Sequence, residues 1–146
     1  MNEAMADKIS LSRPRLRQFL FEPQPSKSAA EFFAIAIQRD MFRIELASFM
    51  ERYPILICAP FCVTAFEHGA LEVDIDGSKC PLFEANWPAA WVNCAGLPAV
   101  VVPAAHDKGG LPIGVQVVGR AFAEETVLAI AKVLEQEMGG FQPPPV

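Results

Sequence analysis

Apolar residues recur along this chain in two rhythms, and the switches between them mark out its elements. Phe33, Ile37, Met41, Ile44 and Ser48 stand three and four apart, widened by Phe42, Leu46 and Phe49. That spacing predicts a helix over about 29–50 that stops before Pro54. Ser28 and Glu31 suit a capping box, in which hydroxyl and carboxylate each satisfy an orphan backbone donor. The breadth of the apolar face argues that sheet covers this helix; an amphipathic helix for a partner is the sharper alternative. Residues 55–59 then form a short apolar run between prolines, which reads as a buried strand. Leu71, Val73 and Ile75 alternate with Glu72, Asp74 and Asp76 up to Asp76-Gly77, a strong turn signal, and Lys79 to Phe83 can return antiparallel. The apolar side of 71–76 should face the body and the acids should face water.

Asn86-Trp87-Pro88 opens the next helix, with Pro88 suited to a first helical position, and Gly96 ends it because a left-handed residue costs glycine nothing. Trp87, Trp91, Cys94 and Ala95 share one face of it. Ala99 to Val102, bracketed by prolines and without polar alternation, suits a strand buried on both faces. A loop, His106 to Gly110, leads to a second strand over 113–118, where glycines at 114 and 119 suggest close backbone approach. The last helix spans 123–138. Its first turn carries Glu124 and Glu125, its apolar stripe is Val127, Ile130, Ala131, Leu134 and Met138, and Gly139-Gly140 stop it.

Composition narrows the function classes. One domain is the natural expectation for 146 residues, and 52% hydrophobic content is on the rich side of globular. The excess fits a core, or a face meant for another piece of protein. A net charge of -5 gives nucleic acid and anionic membranes no encouragement. No run reaches the roughly 18 apolar residues of a membrane helix. The charged amino terminus does not resemble a signal peptide, so a cytoplasmic location is expected. Cys58, Cys62, Cys80 and Cys94 lack paired spacing, and His68 and His106 complete no familiar zinc pattern, so reduced structural thiols and no metal are expected. Glu67 and His68 are adjacent, and in an extended strand they would point to opposite faces, so they make a poor acid–base pair. Glu72, Asp74 and Asp76 lack the later bidentate Glu of a calcium loop.

The pattern Asn93, Gly96-Leu97-Pro98, Val102-Pro103, Gly110-Leu111-Pro112, Gly114, Gln116, Gly119-Arg120 and Glu124-Glu125 resembles the carboxy-terminal signature of the amidase signature family, serine amidohydrolases that cut carboxamides. Tyr53 to Pro60 is similar to the family segment that leads into a loop by the acyl-binding pocket. The resemblance therefore implies a pocket lined by Pro60 and Phe61, and by Asn86 and Trp87 at the helix start. In family members that use glutamine, an acidic side chain near this helix start holds the substrate's amino group. Asn86 falls at that place here, which weakens a glutamine reading; Asn86 can equally be a helix cap. The family's catalytic apparatus is a serine, a second serine in a cis peptide and a lysine, drawn from a Gly/Ser-rich segment upstream of this signature. These 146 residues contain no such segment, and no G-x-S-x-G, P-loop or dinucleotide fingerprint. No catalytic residue is therefore assigned.

The expected fold is α/β, a mixed sheet covered by helices, with strands 55–59, 99–103 and 113–118 central and 71–76 peripheral. Residues 1–27 are expected to be a lead-in, 28–140 an amidase-like domain and 141–146 a proline-rich tail. The resemblance implies an amidase-related protein, inactive alone, that takes an amide substrate only when a catalytic segment completes it. The alternative is a non-catalytic scaffold that pairs with itself or with a complementary chain through an exposed sheet edge, such as the other half of a split amidase. An independent enzyme using Cys58 or Cys62 as nucleophile is a third idea. No cofactor is expected.

Overall fold

The Ser28 and Glu31 side chains close on each other at the head of the first helix. In this computed structural model, which describes residues 26–143, the Ser28 N–H donates to Glu31 Oε2 at 2.8 Å and the Glu31 N–H donates to Ser28 Oγ at 3.2 Å. The capping box thus forms as its spacing predicts. The Ser28 backbone N–H, then its hydroxyl, hold the Glu31 carboxyl below its ordinary value. The arginines at 13, 15 and 17 and the short helix expected around Leu16 to Phe21 lie outside the described residues, as do residues 144–146.

In chain order the elements are α1 (Ala29–Arg52), β1 (Ile55–Cys58), β2 (Glu72–Ile75), β3 (Ser78–Pro81), a 3₁₀ turn (Glu84–Asn86), α2 (Trp87–Ala95), β4 (Ala99–His106), β5 (Pro112–Gly119) and α3 (Glu124–Glu137). The chain divides into two compact units, Met1–Ala36 and Ile37–Val146. The described part of the first holds the capping box and an edge-to-face pair, Phe32 and Phe33, with ring centroids 6.3 Å apart.

In the second unit the main sheet has the order β1-β5-β4. A five-residue loop turns β4 back on β5, and β1 pairs along the other side of β5, Ile55 opposite Gly119 and Cys58 opposite Gln116. The α/β expectation stands, but every pairing among the described strands is antiparallel. The short hairpin connection leaves β4 and β5 no other choice. One strand, β5, is central, and β1 and β4 are its flanks. The buried strand is therefore β5: Val117 and Val118 are both fully buried, although successive side chains point to opposite faces. The expectation that 99–103 is buried on both faces is corrected, since Val101 is 51% exposed on a flanking strand. Likewise β1 is a partly open edge, with Ile57 exposed. The acidic segment forms a separate hairpin, β2 with β3, in which Val73 is buried while Glu72 and Asp74 face water. Leu71, expected to face the body, is exposed.

The two faces of β5 are covered by different helices. Gly119 lies on the Val117 face, and a Cβ there would run into the Val127 side chain, so α3 rests directly on the strand with Val127 and Ala131 buried. On the opposite face, Gln116 Nε2 donates to the Pro88 carbonyl at 3.3 Å and ties β5 to the first turn of α2. Gly96, at φ +70°, ends α2, and its N–H and that of Leu97 both donate to the Val92 carbonyl. Gly139 and Gly140, both at positive φ, follow the end of α3 as expected. The expectation that fails is the cover over α1. Of its side chains only Met50 is buried, and Ile37, Met41, Ile44 and Phe49 are exposed. The sheet's two faces are already taken by α2 and α3.

Candidate substrate-binding site

The backbone leaves β1 at Cys58 and turns through Ala59 and Pro60 across the end of the sheet. Gly114 makes this possible: a Cβ there would sit 2.7 Å from Val101 Cγ1 and 3.7 Å from Pro60 Cγ. Phe61 follows, half-buried, and stacks on Phe66 with centroids 5.8 Å apart and planes at 30°. The Cys62 N–H then donates to the Ala85 carbonyl at 3.1 Å, which fastens the loop to the 3₁₀ turn. Ala85 is fully buried at that junction, and Asn86 and Trp87 come next in the chain.

Two segments 26 residues apart are thus joined at one end of the sheet, Pro60 and Phe61 from one and Asn86 and Trp87 from the other. Asn86 occupies the position before α2 but its side chain makes no capping bond, so the cap expected of it is not formed. Pro88 takes the early helical position the sequence predicts. Trp87 is 68% exposed, and Phe66 and Phe83 are also open. The corner is an aromatic ledge with one side facing out.

Gln116 is what the sequence pattern left without a role. It is 5% exposed on a central strand, and its amide contacts Cys58 Sγ as well as the Pro88 carbonyl, each at 3.3 Å. One side chain therefore pins β1, β5 and the start of α2 together behind the ledge. The signal was available as a lone polar residue inside an apolar strand. A second tie comes from Thr64, whose hydroxyl donates to Asp107 Oδ2 at 3.2 Å. Asp107 Oδ1 accepts the Gly109 and Leu111 N–H groups. These bonds, the Leu111 N–H foremost, hold the Asp107 carboxyl below its ordinary value.

The corner binds but has nothing to attack with. Cys58 Sγ faces an amide rather than a base. Desolvation, then the nearby Glu84 and Cys62 charges, push the Cys80 thiol up, away from the thiolate a nucleophile needs. Cys62 and Cys94 are exposed, which removes the small-hydrophobe role expected of Cys94, and all four cysteines are free thiols. Glu67 and His68 are both exposed. Among the described residues no three His, Cys, Asp or Glu side chains are grouped to hold a metal ion, and no helix is long and apolar enough to cross a membrane. A larger hollow of about 640 Å³ opens at the other end of β5, by Arg43 and Arg120.

The residue profile of the amidase family matches residues 2–128. The chain belongs to the amidase family. Curated relatives include the A subunit of glutamyl-tRNA(Gln) amidotransferase from Chelativorans sp. (strain BNC1), 54% identical over 52 residues, and its mitochondrial counterpart from Ornithorhynchus anatinus, 62% identical over 47 residues. These stretches are 36% and 32% of this chain and 10% and 9% of those proteins. A crystal structure of an amidase shares the fold over 93% of this chain and 32% of its own, with a TM-score of 0.75 at 22% identity. The A subunit of the Thermotoga maritima glutamyl-tRNA(Gln) amidotransferase matches 99% of this chain and 30% of its own, with a TM-score of 0.67 at 29% identity. The chain thus spans about a third of the amidase-family structures it matches.

Proposed function

We propose that this chain forms one wall of an amidase-type pocket, holding the acyl part of a carboxamide against Phe61 and Trp87, while the attacking hydroxyl and its base come from outside these 146 residues. The observation that carries this reading is the Cys62–Ala85 bond, which brings the loop after β1 and the start of α2 into one aromatic corner. Open rings on a pinned backbone suit a flat apolar group. Asn86 offers no charge to a substrate ammonium, which favours a neutral aryl or alkyl amide over glutamine.

Titration with benzamide, followed by tryptophan fluorescence, tests the wall. A saturable change that disappears in Trp87→Phe and is not produced by glutamine supports it. An unchanged response in Trp87→Phe removes Trp87 from the site. The chain alone should release no ammonia from benzamide above a buffer blank, because no serine here has a lysine partner supplied by motif. Turnover would overturn that part, and its survival after replacement of all four cysteines would exclude a thiol nucleophile.

A second reading is favoured by the exposure of α1: a scaffold whose work is pairing with another chain. Relatives named as one lettered subunit of an amidotransferase support assembly as a habit of the family. No membrane or nucleic-acid partner enters either reading, and a cytoplasmic location fits both.

A further inference from the structure

Ile37, Met41 and Ile44 follow one another at four and three residues along α1, and each is more than half exposed, Ile44 at 70%. A helix carries such a line toward an interior. At its foot lies the 640 Å³ groove, whose lining includes Ile44, Met50, Leu97 and two arginines, Arg43 and Arg120. Among the described residues the ion pair that forms is Arg39 with Asp40. Neither Arg43 nor Arg120 has such a partner there. Beside the groove Phe122 holds φ at +63°, rare for a large side chain, with its ring in solvent. Apolar line, unpaired cations and a strained exposed aromatic meet at one place.

What covers it is indicated by the extent of the fold match. The Thermotoga maritima structure matches 99% of this chain, α1 included, yet this chain accounts for 30% of it. The line on α1 belongs to the matched body, and most of that body is polypeptide this chain does not span. A second copy of the chain is a poorer cover. A two-fold pairing would set the apolar line against itself, and that line brings no acid to the arginines.

We infer that the exposed line of α1 and the groove at its foot dock the catalytic portion of an amidase-family protein supplied as a separate polypeptide, which places a carboxylate between Arg43 and Arg120. This inference rests on the pocket-wall reading for its biological use but names a different surface, at the opposite end of β5.

The test co-expresses the tagged full chain with the Thermotoga maritima amidotransferase chain from which the matching third has been deleted. A one-to-one complex is expected. Ile44→Glu and Arg120→Glu should each weaken it by at least about tenfold, whereas Lys132→Glu, on the exposed side of α3, should not. Both interface residues are exposed in the chain alone, so the unfolding midpoints of these variants should stay at the wild-type value, which separates lost docking from lost fold. Failure to capture the catalytic portion overturns the inference, as does a homodimer broken by Ile44→Glu, or a complex indifferent to both substitutions. A sensitive complex without amide turnover leaves this interface standing and removes the pocket-wall reading. Turnover that ignores both substitutions does the reverse.

Discussion

Gln116 shows how much one side chain can organise. Its amide is buried between two acceptors, and replacing it by leucine leaves the Pro88 carbonyl without that donor. Gln116→Leu should cost about 1–3 kcal/mol, read from the midpoint of urea unfolding. Gly119 is constrained by space rather than by φ. Gly119→Ala drives a methyl into Val127, with an expected cost of about 1–3 kcal/mol, and Val127→Ala in the same chain should return part of it. Asp107 makes a pH-dependent contribution of definite sign. Its folded value lies below the ordinary 3.8, so its stabilisation is complete above the unfolded value and is lost as pH falls through the depressed folded value. The Gly109 and Leu111 amides should exchange faster with solvent over that acid range, and Asp107→Asn should abolish the pH dependence of their protection.

Among the elements, α2 offers the cleanest check on a terminus. A Cβ on Gly96 would meet only Arg43 Nη2 at 3.9 Å, an ordinary contact, so Gly96→Ala isolates the left-handed backbone itself. Its expected cost is about 1 kcal/mol, measured by thermal unfolding. This end was legible in the sequence, as were the capping box, the Asp76-Gly77 hairpin and the proline at the start of α2, because each depends on residues within four positions of one another. The rank of the strands was not. Residues 99–102 and 115–118 are equally apolar, and nothing local says that β5 takes two partners while β4 takes one. The pocket residues were found through resemblance, but the bond that unites them, from Cys62 to Ala85, joins backbone groups that no side chain announces. Gln116 stood in the signature pattern without a task because its partners lie 28 and 58 positions away.

At the scale of the molecule, α1 sets the behaviour of the isolated chain. Its apolar positions read as interior, and that reading was sound about the pattern and wrong about this chain supplying the cover. Exposed phenylalanines and isoleucines over most of a 24-residue helix should make the purified protein associate with rising concentration. Sedimentation velocity across a hundredfold dilution should show the shift, and Ile44→Glu should reduce it. The order of the strands also bears on how the chain is made. Ile55 meets Gly119, so the earliest strand stays single until the last one leaves the ribosome. At 5–20 residues per second that wait is roughly 3–12 s, during which Ile55–Cys58 is an unclaimed apolar ribbon. Synonymous codons that slow translation between them should raise the share of nascent chains bound by chaperones.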